Sequence, residues 1–229
     1  MVTGATASER LRQKIELVEP WIALPARLLL EHPRAGEVYP RYLATGYRVT
    51  CAMLELMEAA LARARELEDE VAVGLAEYLE RHIVEEMHHE DPGGAVLDDL
   101  RALGADPERL VAEAQSAKIA TLVAAEHSRI AEHPVSVLGF LELEAFHTKL
   151  PAVELLVSRT GLPRESFAQL LLHAKLDAVH ASQLHEVLDS LPLEPWHEQL
   201  VGLSALTTVG TVADALLDVV SERLPQPVE

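Results

Sequence analysis

The chain has 229 residues, 49% of them hydrophobic, and its 19 Lys and Arg against 37 Asp and Glu give a formal charge of −18. That much apolar material builds a sizeable core and excludes a disordered chain. So acidic a balance repels phosphate backbones and anionic lipid surfaces, so neither nucleic acid nor membrane is an expected partner. The single cysteine, Cys51, rules out an intrachain disulfide and a thiolate metal cage. It lies in a helical apolar segment and reads as a packing residue.

Ser8 is placed to cap a first helical region reaching about Leu30, kinked or split by Pro20 and Pro25. Residues 31–40 read as a loop. Tyr47, Cys51, Leu54, Met57 and Leu61 recur at spacings of three and four, which predicts a helix from about Arg41 to Leu67. The next helix covers about Asp69 to Glu90 and is stopped by Asp91-Pro92-Gly93-Gly94. A short helix follows from about Ala95 to Leu103. Asp106-Pro107 opens another, with a break near Ser116, that ends at about Glu132. His133-Pro134 begins a helix to Arg159 with a kink expected at Pro151. After the Thr160-Gly-Leu-Pro turn, long helices run from about Pro163 to Ser190 and from about Trp196 to Arg223.

No stretch alternates as a strand would, and no linker divides the chain. The expectation is an all-α bundle of about seven to nine helices. It forms one domain over residues 1–229, with frayed ends at about 1–7 and 224–229. The opening MVTGATASER has no signal-peptide pattern, and charges interrupt the apolar stretches. A cytoplasmic location is expected.

The histidines carry the chemistry. In LLHAKLDAVHASQLHEVLDS, His173, Asp177 and His180 are four and three residues apart, which places them on one helix face. Two imidazoles and a carboxylate there suit iron, manganese or zinc better than calcium. In YLERHIVEEMHHE, His82, Glu86 and His89 repeat the spacing. Glu86-x-x-His89 is the pair that four-helix dimetal carboxylate proteins use to hold metals. Glu85 and His88 are the adjacent alternative, and His82 is either a ligand or a neighbour of one. A further carboxylate is sought in HPVSVLGFLELEAFHTKLP, where Glu142 and Glu144 cannot both face one way. Glu58, or less so Glu55, is another candidate. A polar helix face is the plain alternative for any one of these residues, but two helices with matching donor sets imply a shared site.

These stretches resemble the haem-oxygenase-like diiron oxidases, most closely their iron-containing redox enzyme branch. HIVEEMHHE, HPVSVLGFLELE and TGLPRESFAQLLLHAKLDAVH carry the resemblance, in the expected order. It implies a haem-oxygenase-like fold of about seven or more helices without haem. It also implies two iron ions per chain, cycling between Fe(II) and Fe(III), that activate O2 to oxidise a small amino-acid-like or fatty-acid-like molecule. Glu86, His89, Glu144, His173, Asp177 and His180 match the family's ligands. Two departures bear on the ligand set: the first leaves Glu142 against Glu144 open, and the second leaves one metal's ligands open. Ala145-Phe146-His147-Thr148 stands where a Gly-containing stretch is usual, which makes His147 a candidate, and His82 stands where some relatives have Glu. The expected partners are a small-molecule substrate and a second copy of the chain.

Two other function classes compete. One is a metal-free member of the same fold, thiaminase-like or a cofactor-free oxidase, which needs a Cys nucleophile or a basic pocket. The other is a non-enzymatic metal-binding bundle. Donors inside the fold beside a pocket favour the enzyme, and donors on the surface favour the bundle.

Overall fold

The computed structural model describes residues 4–89, 94–143 and 149–222; the side chains at 88 and 89 lie outside it. Within these residues the chain forms eleven α-helices and no strand. They are α1 (Ala7–Ile15), α2 (Glu19–Glu31), α3 (Ala35–Ala64), α4 (Glu70–His89), α5 (Ala95–Ala102) and α6 (Pro107–Glu113). Next come α7 (Ala117–Glu132), α8 (Val137–Leu141), α9 (Leu150–Thr160), α10 (Ala168–Ser190) and α11 (Pro195–Ser221). The count exceeds the expected one because several expected helices break into two.

The helix starts follow local chemistry. Asp106 accepts from the Arg109 amide, and Asp69 from the Ala72 amide, each satisfying an orphan N–H of a first turn. The α1 cap is Thr6, in a capping box with Glu9, and not Ser8. Ser8 instead donates through its amide and its hydroxyl to Asp189, docking α1 on α10. Pro20 sits in the first turn of α2, so the first region splits there. Pro151 likewise opens α9 and does not kink a longer helix. The left-handed Gly161 ends α9 at φ 66°.

One boundary is displaced for a tertiary reason. α3 begins at Ala35, so the expected loop at 31–40 is largely helix and Pro40 lies inside it. An interior proline costs roughly 3 kcal/mol. Val38, Tyr39 and Leu43 flank it and are all buried, and full burial contributes about 1.5–3 kcal/mol each. The Tyr39 ring also stacks on Phe167 at 4.4 Å, and its hydroxyl donates to the Ser166 carbonyl.

α3 joins two apolar clusters. One contains Leu56, Met57, Leu75, Leu79, Leu138 and Leu184, and the other Tyr39, Leu100, Val153 and Phe167. α11 closes the bundle against α2, α7 and α8. α8 approaches it so closely that a Cβ on Gly139 would lie 2.2 Å from the Val201 carbonyl oxygen. α11 is also the one described helix long and apolar enough to cross a membrane, a stretch longer than the charge pattern suggests. Yet 56% of its most apolar window is buried inside the bundle, which is how a core helix behaves.

Candidate metal centre

α4 turns one stripe inward: Val71, Leu75, Tyr78, Leu79, His82 and Glu86 are all buried. The apolar members drive the packing, and the same period carries the polar members into the interior. α10 does likewise with Asp177, His180, Leu184, Val187 and Leu188. His173 lies one turn before Asp177 and is partly exposed. The two donor patterns therefore lie on inward faces of neighbouring helices.

Three of the expected residues meet. Glu86 Oε1 is 3.1 Å from His180 Nδ1, with both side chains buried. The contact is off the line of a hydrogen bond, so this oxygen keeps acceptor capacity. The His82 ring meets the His180 ring edge-on at 5.2 Å, and Tyr78 stacks on His82 at 5.2 Å. Burial pushes the Glu86 carboxyl up. The contact with His180 and the fields of His82, His180 and His173 more than reverse this and hold it below the ordinary range. Glu86 is thus a buried carboxylate held anionic by imidazoles from both helices.

A second pair forms along α10. His173 Nδ1 donates to Asp177 Oδ1 at 2.8 Å, and the Gln169 side-chain amide donates to His173 Nε2 at 2.6 Å. The start of α10 is itself fixed from α5, where buried Asp99 accepts from the Gln169 amide at 2.9 Å.

Glu142 caps the end of α8 and is 2% exposed, so it belongs to the interior and not to a surface charge. Its Oε1 accepts from His185 Nε2 at 3.1 Å. His185 is a site neighbour that the four-then-three pattern does not pick out. Glu58 is solvent-exposed on α3, and Glu55 is exposed and pairs with His127, so neither joins the buried donors. Glu85 is half-buried. The side chains of His88 and His89, and residues Glu144 and His147, lie outside the described residues. Cys51 is half-buried on α3.

Among the described residues, no three His, Cys, Asp or Glu side chains converge closely enough to hold an ion. The donors form pairs instead, Glu86 with His180 and His173 with Asp177. The set still fits a borderline transition metal. It offers imidazole and carboxylate without thiolate. Glu86 Oε1 and Glu142 Oε2 are buried oxygens without a hydrogen bond among the described residues, and such atoms call for a partner.

A cleft of about 430 Å3 opens beside His82, lined by Tyr78, Arg81, Glu85, Gln183, Glu186, Val187 and Ser190. Its walls carry both charge signs and several hydrogen-bonding groups. A separate cluster of Asp69, His133, Trp196 and His197 has a structural explanation. His133 Nδ1 accepts from the Val135 amide and His197 Nδ1 from the Glu194 amide, so each ring keeps its proton on Nε2. Neither ring presents a lone pair there to an ion.

No family model matches the chain, and no curated protein does. Solved structures do. A domain of unknown function with a haem oxygenase-like fold from Shewanella denitrificans OS217 is 21% identical. It aligns over 92% of this chain and 90% of its own, with a TM-score of 0.76. A TenA homolog from Pseudomonas syringae pv. tomato DC3000 is 14% identical, over 92% of each chain, with a TM-score of 0.66. At these identities the likeness establishes the fold, and the bundle is haem-oxygenase-like.

Proposed function

We propose that this haem-oxygenase-like bundle is a non-haem diiron oxidase or oxygenase that uses O2 to oxidise a small organic molecule. The observation that carries the reading is the contact of buried Glu86 with buried His180 across α4 and α10, inside the fold, with the His82 ring between His180 and a cleft. A docking bundle has no need to bury such groups, because burying a charge is costly.

Glu86, His89, His173, Asp177 and His180, with Glu142 or Glu144, would hold the two ions, and His82 would stand beside them. Bound iron would supply the electrons that reduce O2. The chain's own residues do the rest. Asp177 accepts from His173 Nδ1, which fixes that ring's tautomer with Nε2 as acceptor, and Glu86 Oε1 stands 3.1 Å from His180 Nδ1. Tyr78 stacks on the His82 ring and fixes its plane. Leu79, Ile83 and Leu184 exclude water from the helix interface. In the cleft, Arg81 offers charge to a carboxylate, and Glu85 and Glu186 offer it to an amine. That lining supports a polar, amino-acid-like substrate over a fatty-acid-like one.

The likeness to a TenA homolog keeps a metal-free hydrolase as the second reading. That chemistry needs a nucleophile among the enclosed groups. The buried donors of α4 and α10 include no thiol among the described residues.

The test is anaerobic Fe(II) loading followed by exposure to O2, with iron counted and the visible spectrum recorded. About two irons per chain and a transient visible band support the proposal. Iron uptake unchanged in Glu86→Ala and His173→Ala contradicts it.

A further inference from the structure

His185 lies on α10 directly after the buried Leu184 and five residues beyond His180, about 7.5 Å further along the axis. Its two ring nitrogens are both engaged. Nδ1 is 3.1 Å from Nη2 of Arg12 on α1, and Nε2 is 3.1 Å from Oε1 of Glu142 at the end of α8. A guanidinium only donates, so Nδ1 must be the acceptor. The proton on Nε2 is then directed at Glu142. An imidazolium would set a second N–H against the guanidinium.

Glu142 is therefore a buried carboxylate with one oxygen held by His185. Oε2 has no hydrogen-bond partner among the described residues. The next residue, Leu143, packs against the cluster that holds Ile83 of α4 and Leu184 of α10. A buried carboxylate oxygen in this state calls for a partner, and a cation bound at the site would be one.

We propose that His185 is a positioning residue: it holds Glu142 Oε1 so that Oε2 is presented to the metal centre as the carboxylate contributed from α8, with Arg12 fixing the tautomer that makes this possible. This rests on the diiron reading above. It favours Glu142 over Glu144 and ties the centre to the N-terminal helix. The arrangement is the usual one for metal sites, in which an outer hydrogen bond sets the orientation of a ligand.

The full-length apo-protein is titrated with Co(II), whose visible absorption reports coordination, in the parent and in His185→Leu, His185→Gln and Glu142→Gln. The parent is expected to take up two ions. His185→Leu and Glu142→Gln weaken one of them by about tenfold or more. His185→Gln, whose amide still donates, stays within about threefold of the parent. Thermal melting of each apo-protein shows that it is folded. Nitrogen-15 spectra of the parent's histidines give a second readout that needs no metal, and are expected to show the His185 proton on Nε2. Unchanged Co(II) binding by His185→Leu overturns the assignment, as does equal impairment of the Leu and Gln variants or an Nδ1–H tautomer. A parent that binds no Co(II) overturns the diiron reading and this assignment together. A parent that binds two ions beside an unimpaired His185→Leu overturns this assignment alone.

Discussion

Asp99 holds the helix that carries half of the proposed site, and its replacement has a magnitude that follows from the structure. The side chain is buried on α5 and accepts from the Gln169 amide, with the Ala168 amide as a second donor. Asp99→Ala leaves two buried N–H groups at the start of α10 without partners. At about 1–2 kcal/mol for each orphaned group, where the cap and buried-donor costs overlap, the loss is roughly 2–4 kcal/mol. In a chain of this size that lowers Tm by about 4–15 °C. Asp99→Asn separates the cap from the charge, because one acceptor oxygen remains. Burial pushes the Asp99 carboxyl up from 3.8 to about 6, against the two backbone hydrogen bonds. A raised carboxyl pKa means that the folded state binds more protons than the unfolded state between those values. The charged form therefore carries a penalty of order 3 kcal/mol above about pH 6, relieved as pH falls toward 3.8. The Tm difference between Asp99→Asn and the parent should thus favour the variant more at pH 8 than at pH 5. Melts followed by circular dichroism at the two pH values measure it. A constant difference, or a cost below about 0.5 kcal/mol for Asp99→Ala, refutes the reasoning.

Three further outcomes are expected. In Gly139→Ala the new Cβ meets the Val201 carbonyl at 2.2 Å and the Ala205 nitrogen at 2.7 Å, both backbone atoms. The variant should lose more than about 3 kcal/mol or fail to fold, and a melt within about 0.5 kcal/mol of the parent counts against the packing of α8 on α11. Replacing the pair Glu86 and His180 together by Leu removes two buried polar groups, so the metal-free protein should melt no lower than the parent while iron uptake is lost. A fall in the melt of more than about 2 kcal/mol would mean that the pair is kept for stability. Burial holds the His133 and His197 imidazoles below their ordinary range. A depressed folded pKa gives stability that is present above about pH 6.5 and lost as pH falls through the lower folded value. Urea midpoints should fall from pH 7.5 to 5.5, with a shallower slope in His133→Gln; equal slopes would remove these rings as the cause.

The parts of the molecule legible in the sequence are those written in local spacing. The four-then-three spacing puts His82 and Glu86 on one face of α4 and Asp177 and His180 on one face of α10, and all four are buried. The α3 stripe read from Tyr47, Cys51, Leu54 and Leu61 is only half-buried, and Ala52, Met53, Leu56 and Ala60 beside it carry the burial. The start at Asp106-Pro107 follows from cap and proline chemistry. What was not legible depends on contacts between distant segments. Pro40 reads as a loop marker until Tyr39 is seen stacked on Phe167, a contact that no local pattern announces. Ser8 reads as a cap because its partner, Asp189, lies at the far end of the chain. His185 falls outside the four-then-three spacing, and its role is set by Arg12 and Glu142 from two other helices. The polar substrate proposed above likewise rests on Arg81, Glu85, Gln183 and Glu186 meeting across two helices.

The central claim is that α4 and α10 hold two metal ions between them. Crystals grown with Mn(II) as a redox-inert stand-in, with anomalous difference maps calculated from the diffraction, test it most directly. The account predicts two peaks about 3.5–4 Å apart, both between α4 and α10 and bonded among Glu86, His173, Asp177 and His180. Peaks confined to surface carboxylates, or none between these helices in Mn(II)-saturated crystals, would contradict it.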